Sequence, residues 1–407
     1  MQRPTARFDF TAPDIAGPGF WDAIAGVARL GPLVWVEDNG GYWAATSYDM
    51  VLRIAQDWQN FTSAEGVALD RPSFEVVPRI VPIEIDPPRH QAFRKQVNPA
   101  LTVKAVSPLE DEIRAIADEL IDAFIGRGEC DLAADFARKF PGTVFFRLIV
   151  HCTDEDFYRA ETAARVMSFE SGDREKFAAA AARLRGWAAR VLADRAAQPA
   201  QDDIVNAIMH LADAGQAWPD DERATGLQLL AQGGIGTSAS AIGAIAVALA
   251  RDQDLQRRVR GDQSLIPGLI EEVLRLEAPV PLMFRTARNS VEIGGLQVKA
   301  GDKVCLAFGA AGRDPAVFDR ADEADLGRPH CRHLAFGAGA HRCIGSNLAR
   351  LQIRIAVQQL VSRLGTFAIP GGATVTYSSR QARGPSSVPL QFTGGIASAD
   401  GRLRYAI

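Results

Sequence analysis

The chain has 407 residues, with 49 acidic against 45 basic side chains and a formal net charge of −4. Apolar residues make up 47% and charged residues 23%, which is typical of a globular protein and excludes a disordered chain or a collagen-like fibre. The slightly acidic balance argues against a dedicated nucleic-acid binder, which is usually strongly basic. Five scattered cysteines form no dense disulfide framework, so an intracellular, reducing compartment fits better.

The sequence contains no convincing targeting or membrane-spanning segment. The N-terminal residues lack an apolar stretch of signal-peptide length. The most apolar segment, residues 239–250, is shorter than the ~20 residues that span a bilayer. We interpret it as a buried helix, and we expect a soluble, cytoplasmic protein without a membrane anchor.

The patterns in chain order predict a mainly α protein with small β-sheets. Residues 33–45 predict a β-hairpin, because Asn39-Gly40 favours a tight turn with positive φ. Ser107 and Glu110 match a capping box, and apolar residues at helical spacing continue that helix to Gly126. Further helices are predicted at 131–150, 154–167, 173–196, 221–252, 264–277 and 346–364, and short strands at 291–306 and 366–392. We see no repeat or linker, so we predict one undivided domain over residues 1–407.

A glycine-rich loop, Phe336 to Gly345, places Cys343 directly before the helix predicted at 346–364. Glycines permit backbone turns that other residues resist. The N–H groups and the positive dipole end at a helix N-terminus favour a thiolate over a thiol. A thiolate in this position is a good metal ligand, although a structural role is the more common one for a lone cysteine in such a loop.

Zinc binding is an alternative interpretation of the same region. The possible ligands are Cys331, His333, His341 and Cys343. Only one residue separates the members of each pair and seven residues separate the pairs. In structural zinc sites, roughly two to five residues usually separate the members of a pair, and about a dozen or more separate the two pairs. The spacing therefore argues against zinc.

The loop resembles the heme-binding signature of the cytochrome P-450 superfamily, F-x-x-G-x-[HR]-x-C-x-G, at every fixed position. The resemblance implies that Cys343 is the axial thiolate of heme b (iron protoporphyrin IX). It also implies that Phe336 packs beside the sulfur and that His341 contacts a heme propionate. In the implied fold, the heme lies between a long distal helix and the proximal cysteine loop. Thiolate ligation favours O–O cleavage.

The segment Glu272-Val-Leu-Arg275 is similar to the E-x-x-R motif of the same superfamily. The three-residue spacing puts the acid and the base on one helix face, where they can pair. Arg328 matches the third member of this group. The resemblance implies that the three residues are structural and hold the proximal side of the fold.

Three further cationic residues resemble the superfamily's propionate ligands. His90 and Arg94 belong to a segment that begins at Asp86, and Arg285 follows Phe284. Cationic donors form charge-assisted hydrogen bonds with carboxylates in a partly dry site. Without the resemblance, each would be interpreted as a surface charge.

The segment Gly233 to Ser238 resembles the superfamily's [AG]-G-x-[DE]-T-[TS] motif over the distal face of the heme. Thr237 matches the alcohol that hydrogen-bonds the bound dioxygen, but Gly236 stands where an acid is usual. Proton delivery needs a positioned donor or water. Water beside Gly236 can carry the protons, or a substrate group or a polar side chain such as Gln232 or Ser238 can substitute. A third alternative is peroxide-dependent or otherwise atypical chemistry; we favour the first two together.

The same segment also matches a dinucleotide-binding fingerprint, G-x-G-x-x-[GA], between Gly234 and Ala239, with Asp252 about twenty residues on. That motif requires a preceding strand, whereas residues 226–232 are rich in helix formers. An NAD-dependent dehydrogenase is therefore an alternative that the local sequence disfavours.

By resemblance, four stretches line a substrate pocket: residues 67–81, 229–237, 279–284 and 383–388. Their mostly apolar side chains suit a small hydrophobic substrate such as a terpenoid or an aromatic compound. Arg79 and Arg383 are either ligands for a substrate carboxylate or exposed charges, and we favour exposure. The candidate pocket residues are Val77, Ile80, Leu229, Gln232, Gly233, Leu282, Met283, Pro385 and Ser386.

The resemblance implies a monooxygenase that inserts one oxygen atom of O2 into a C–H bond, similar to soluble bacterial camphor-hydroxylase and aromatic-acid-demethylase P-450s. We expect no fused reductase, and therefore electrons from a ferredoxin and a ferredoxin reductase that uses NADH or NADPH. A basic patch of Arg89, Arg94, Lys95 and Arg342 would meet an acidic ferredoxin. A heme sensor without turnover is the alternative outside the enzyme class.

Two further expectations concern assembly and the remaining thiols. We expect a monomer. Cys130, Cys152, Cys305 and Cys331 are predicted to be structural rather than metal ligands.

Overall fold

A computed structural model describes residues 3–9, 17, 19–69, 71, 73–152, 154–169, 173–379 and 382–393. The helices in these ranges are α1 (Gly19–Ala28), α2 (Tyr48–Gln56), α3 (Arg89–Val97), α4 (Val103–Val106), α5 (Glu110–Ile125), α6 (Lys139–Val144), α7 (Asp154–Phe169), α8 (Arg174–Ala196), α9 (Ile204–Met209), α10 (Asp220–Arg251), α11 (Gln253–Gly261), α12 (Ile266–Glu277), α13 (Phe308–Ala311) and α14 (Ser346–Arg363). The mainly α architecture agrees with the prediction.

The strands are short and form small sheets. They are β1 (Thr5–Ala6), β2 (Leu33–Val36), β3 (Tyr42–Ala45), β4 (Phe61–Thr62), β5 (Glu129–Asp131), β6 (Ala212–Asp213), β7 (Gln216–Ala217), β8 (Met283–Ala287), β9 (Val291–Ile293), β10 (Leu296–Val298), β11 (Lys303–Leu306), β12 (Thr366–Ala368), β13 (Thr376–Ser379), β14 (Arg383–Ser387) and β15 (Pro389–Thr393). The largest sheet has the order β1-β2-β3-β11-β8-β4. The predicted hairpin at 33–45 is confirmed, with positive φ at Asn39, Gly40 and Gly41.

The start of the helix predicted at Ser107 is different in the structure. Thr102 caps α4 by accepting the N–H of Ala105 at 3.3 Å, and Ser107 donates to the Val103 carbonyl at 2.8 Å. A 3₁₀ turn follows, and α5 begins at Glu110. The capping box is therefore wrong, because the Glu110 carboxylate binds Arg354 of α14 instead.

The segment predicted as one helix at 131–150 is divided. It contains the end of β5, a π-helical turn at Ala133–Ala137, α6, and a second π-helical turn at Phe145–Ile149. Both α6 and the first π-helical turn pack against α10. Uniform helical spacing does not show such a division.

Helix α10 is the centre of the fold. It packs against α6, α7, α8, α12 and α14, and most of its residues are buried. By length and composition it is the one helix in the described ranges that could cross a membrane. However, 78% of its apolar 18-residue stretch is buried inside the fold. This burial agrees with the predicted buried helix at 239–250.

Candidate active site

The cysteine loop contains a 3₁₀ turn, Gly339–His341, and leads directly into α14, so Cys343 lies between that turn and the helix. The Cys343 N–H donates to the Phe336 carbonyl at 2.8 Å and closes the loop. Gly337 and Gly339 have φ of +67° and +66°, and a Cβ at Gly339 would overlap the Ala55 carbonyl. Both glycines are therefore required by backbone conformation and close approach.

The electrostatics of Cys343 correct one expectation. Burial raises the pKa of this thiol, although the Gly345 N–H and the guanidinium groups of Arg94, Arg342 and Arg350 lower it. The loop and the helix end alone do not make it a thiolate. Coordination to a metal deprotonates a thiol outright, so the ligand role depends on the metal and not on the loop.

His341 is held by a hydrogen-bond chain that the sequence did not reveal. The Ser63 hydroxyl donates to the Asp86 carboxylate at 2.9 Å and lies 3.0 Å from Nε2 of His341. The His90 ring packs 4.2 Å from the His341 ring, centre to centre. Burial and nearby cations lower the pKa of His341 to about 2 and that of His90 to about 4.

Several groups beside this loop fit a bound anionic group. The Nδ1 atom of His90 is buried without a hydrogen-bond partner. Arg285 is 3% exposed, and within the described ranges its guanidinium binds the Phe284 carbonyl but forms no ion pair. A buried cation without a counter-ion is costly, and burial lowers the pKa of Arg285 to about 10. Two propionates would satisfy these residues.

Open space lies beside α10 at Gly233. Gly233 is exposed although it is in the middle of a helix whose other residues are mostly buried, and a Cβ built there meets nothing within 4 Å. Thr237 is next to this space, because its hydroxyl donates to the Gly233 carbonyl at 2.8 Å. The structure therefore brings Gly233 and Thr237 together, as the motif implied.

The neighbours of Thr237 differ in orientation. Gln232 and Gly236 are four residues apart and share one face of α10, whereas Ser238 is on another face. Gln232 and Ser238 are both buried, and the Gly236 carbonyl accepts the Ser240 hydroxyl at 2.9 Å. Because Gly234 and Gly236 lie inside a continuous helix and follow no strand, the dinucleotide-binding alternative is wrong.

The zinc alternative is also wrong. His333 lies 3.1 Å from the Glu271 carboxylate, and the Cys331 thiol donates to Glu272 at 3.2 Å. Neither side chain joins Cys343. Over the part of the chain that the structure describes, no group of three or more His, Cys, Asp or Glu residues could hold a metal ion.

The Glu272, Arg275 and Arg328 side chains meet, as their spacing and order implied. Glu272 accepts two bonds from Arg275, both at 2.9 Å, and one from Arg328 at 3.0 Å. Burial alone would raise the pKa of Glu272, but these hydrogen bonds and the Asp325 N–H lower it to about 2. Arg275 also donates to the carbonyls of Gly312 and Glu323, both at 2.7 Å, so it holds the chain that leads to the cysteine loop.

The candidate pocket residues occupy several environments. Val77 and Ile80 pack in the largest apolar cluster, whereas Leu282 and Met283 border two smaller clusters. Leu229 is partly buried on α10. Within the loop at 67–81, Asp70 and Pro72 are outside the described residues.

Pro385 and Ser386 are not beside Gly233. Pro385 packs against Gly243, six residues beyond Thr237 on α10, with its Cδ 3.4 Å from a Cβ built there. The Ser386 hydroxyl binds Thr376 at 2.7 Å, and its carbonyl accepts Arg138 at 2.5 Å. These two assignments to the pocket are therefore not supported by the contacts.

Of the two arginines considered as substrate ligands or exposed charges, Arg383 is buried and Arg79 is partly exposed. Arg79 donates to the carbonyls of Ala64 and Glu84, the latter at 2.8 Å. Arg383 pairs with Glu277 at 2.8 Å, and its side chain is 2% exposed. The expected exposure of Arg383 is therefore wrong, because its partner is an acid from a distant part of the chain.

The predicted basic patch is smaller than expected. Arg89 forms two bonds with the Glu222 carboxylate and lies 4.5 Å from the centre of the Trp218 ring. Arg94 donates to the Arg342 carbonyl at 2.5 Å. Lys95 and Arg342 are exposed, and neither forms an ion pair in the described ranges. These two residues are the exposed cations of the patch.

The other four cysteines, Cys130, Cys152, Cys305 and Cys331, form no disulfide within the part of the chain that the structure describes. Burial raises the pKa of Cys130 and of Cys331 to about 12, and it raises that of Cys305 further. Such thiols are poor nucleophiles at neutral pH.

Comparison with known proteins identifies the family. The cytochrome P450 family model matches residues 143–381. The steroid C26-monooxygenase of Mycolicibacterium smegmatis is 32% identical over 362 residues, covering 88% of this chain and 89% of that protein. The cyclomarin C epoxidase CymV of Salinispora arenicola is 32% identical over 314 residues, covering 76% of this chain and 79% of that protein.

A solved structure gives the same result. The crystal structure of cytochrome P450 CYP101C1 superposes with a TM-score of 0.87 at 28% identity, covering 97% of this chain and 98% of that one. The chain belongs to the cytochrome P450 family. It is a heme-thiolate monooxygenase that uses heme b, O2, a substrate and redox partners.

Proposed function

We propose that heme b lies between α10 and the loop Phe336–Gly345, with the Cys343 sulfur as its axial ligand. The observation that carries this proposal is the pair of unsatisfied groups beside the loop, namely the buried His90 nitrogen and the buried Arg285 cation. Two carboxylates would satisfy them. Arg94 and His341 complete the proposed propionate set, and Phe336 packs beside the sulfur.

When bound, the heme supplies activation of O2 for insertion of one oxygen atom into a C–H bond. The side chains around it hold and deliver protons. The Thr237 hydroxyl donates to the Gly233 carbonyl and keeps its lone pairs for a proton donor. Water beside Gly236, with Gln232 on the same helix face, supplies that donor. Ser238 is on another face and is the weaker substitute.

The substrate of this proposal is a small hydrophobic compound, a terpenoid or an aromatic. Apolar side chains at Val77, Ile80, Leu229, Leu282 and Met283 support it, since such pockets orient ligands with few polar groups. Arg383 is paired with Glu277 and Arg79 donates to two backbone carbonyls, which also favours an uncharged substrate. We propose a monomeric, cytoplasmic enzyme that receives electrons from an acidic ferredoxin.

Reduced carbon-monoxide difference spectra test the ligand assignment. We expect a thiolate-type band for the wild type and for Cys331→Ser, and its loss in Cys343→Ser. A thiolate-type band in Cys343→Ser would contradict the assignment. The matched Cys331→Ser variant controls for loss of a nearby thiol.

Two assays then test the reaction. A screen of terpenoids and aromatics for shifts in the heme absorption band identifies a substrate class. Turnover of a compound found in this way is compared with ferredoxin, reductase and NADH or with hydrogen peroxide alone. Turnover that depends on the ferredoxin supports the proposal, and turnover with peroxide alone supports the atypical alternative.

A further inference from the structure

Arg383, the first residue of β14, connects three parts of the chain from inside the protein. Its guanidinium binds the Glu277 carboxylate at 2.8 Å and the Gly17 carbonyl at 3.3 Å. Its own N–H donates to the Pro279 carbonyl at 2.8 Å. The side chain is 2% exposed, so water does not compete for these bonds.

Aromatic rings enclose the same cation. The centres of the Phe20, Tyr377 and Trp21 rings lie 4.8, 4.9 and 5.0 Å from the guanidinium carbon. A guanidinium is planar and stacks on such rings, which an ammonium does less well. The position of Arg383 is therefore defined by both its charge and its shape.

Arg383 binds Glu277 and Pro279, and the residue between these two, Ala278, has an unusual backbone conformation. Ala278 ends α12 with φ of +30°, a region that residues with a Cβ rarely adopt. It also precedes a proline, which biases it toward extended conformations. Arg383 binds the side chain of Glu277 on one side and the carbonyl of Pro279 on the other, so it clamps this turn.

Strand β14 is itself fixed to α10. A Cβ at Gly384 would overlap the Ser240 side chain, and Pro385 packs against Gly243. The strand therefore has little freedom to move sideways. Through Arg383, the segment Pro279–Phe284 is held at a set distance from α10.

We propose that Arg383 is a positioning residue that sets the width of the substrate pocket. It does so by fixing Pro279–Phe284 relative to α10. The proposal rests on the proposed function, because these two segments face a common pocket only with heme below α10. Glu277 is its counter-ion, and neither residue touches the substrate.

Two nitrogenous ligands of different size separate pocket width from heme binding. Imidazole and 4-phenylimidazole both bind ferric heme iron through nitrogen, and only the second requires room for a phenyl ring. Their dissociation constants are measured from shifts of the heme absorption band. The variants are Arg383→Met, Arg383→Lys and Glu277→Gln. Arg363→Met is the control, since Arg363 is also a buried arginine with acidic partners but lies at the far end of α14.

We expect the imidazole constant to stay within about twofold of the wild type in all variants. The 4-phenylimidazole constant should change by about fivefold or more in Arg383→Met, because small displacements of a binding wall have large effects. Glu277→Gln should change it in the same direction, and Arg383→Lys by less. Arg363→Met should lower the unfolding temperature and leave the ratio of the two constants unchanged.

An unchanged ratio in Arg383→Met with normal heme content would overturn the proposal. An equal change in Arg363→Met would also overturn it, since the effect would then reflect general loosening. If Arg383→Met does not fold, Arg383→Lys and Glu277→Gln decide the outcome by the same ratio. Absence of any imidazole shift in the wild type would instead defeat the proposed function, and the pocket proposal with it.

Discussion

The Arg350 guanidinium lies 4.4 Å from the centre of the Phe336 ring, and it also binds the Glu271 carboxylate at 2.7 and 2.8 Å. The cysteine loop is thereby connected to α12 through one side chain of α14. His333 contributes a third contact to Glu271. The sequence signal for this network is limited to Glu271 preceding the E-x-x-R motif, and it did not identify Arg350.

This network predicts a specific acid sensitivity. Burial alone would raise the pKa of Glu271, but hydrogen bonds from Arg350 and His333 lower it from 4.5 to about 2. A carboxyl group whose pKa is lowered by folding stabilises the protein at pH values above its unfolded-state pKa. That stabilisation is lost as the pH falls through its folded-state pKa. Urea unfolding of Glu271→Gln should show a lower free energy of unfolding at pH 7 and a flatter decline between about pH 5 and 2. Exposed Glu75→Gln is the control, and a wild-type slope in Glu271→Gln would contradict the prediction.

The buried pair of Glu272 and Arg275 should be essential for stability. Removing one partner leaves an uncompensated buried charge, so Glu272→Gln should lower the free energy of unfolding by about 3–5 kcal/mol. The exposed pair of Asp254 and Arg257 is a matched control on another helix. Asp254→Asn should lower the free energy of unfolding by less than about 1 kcal/mol. Equal losses in denaturant unfolding of the two variants would contradict this difference.

Arg285 should have opposite effects on the protein and on its cofactor. Without the cofactor, this buried cation has no ion-pair partner in the described ranges, so Arg285→Met should not destabilise the apoprotein. Loss of a charge-assisted bond of ~1.5–3 kcal/mol should speed heme transfer to a heme-free acceptor globin by about tenfold to a hundredfold. Heme transfer at the wild-type rate would show that Arg285 does not bind a propionate.

Gly236 should limit proton delivery. Placing an acid there, in Gly236→Asp, should increase product formed per NADH consumed with an established substrate. Gly236→Ala separates this effect from helix stabilisation, which is ~1 kcal/mol for glycine to alanine. If Gly236→Asp does not exceed Gly236→Ala in coupling, the missing acid does not limit the reaction.

The exposed cations Arg342 and Lys95 should attract an acidic ferredoxin. Arg342→Glu should slow reduction by about tenfold at low salt, and the difference from the wild type should disappear at high salt. Arg89→Ala should have a smaller effect, because Arg89 is already paired with Glu222. Stopped-flow measurements of the reduction rate across a salt series test both variants. Rates that do not depend on salt would contradict an electrostatic contact with the ferredoxin.

Local signals predicted the elements whose determinants are close in sequence. The Asn39-Gly40 turn, the limits of α8, α10 and α14, and the pairing of Glu272 with Arg275 depend on residues within a few positions. The closure of the cysteine loop is equally local, since Cys343 binds the Phe336 carbonyl. The predictions that failed, such as the capping box at Ser107, were those in which a distant partner competed with a local one.

By itself, the sequence determined the family, the mainly α architecture and the loop that carries Cys343, because periodicity and short motifs are properties of neighbouring residues. The tertiary structure alone decided which charges are free. Ser63 reaches His341 across 278 residues of chain, and Arg383 reaches Glu277 across 106. In isolation an arginine such as Arg383 resembles a surface charge. Only folding brings its partner within hydrogen-bond distance and removes the water that would otherwise compete.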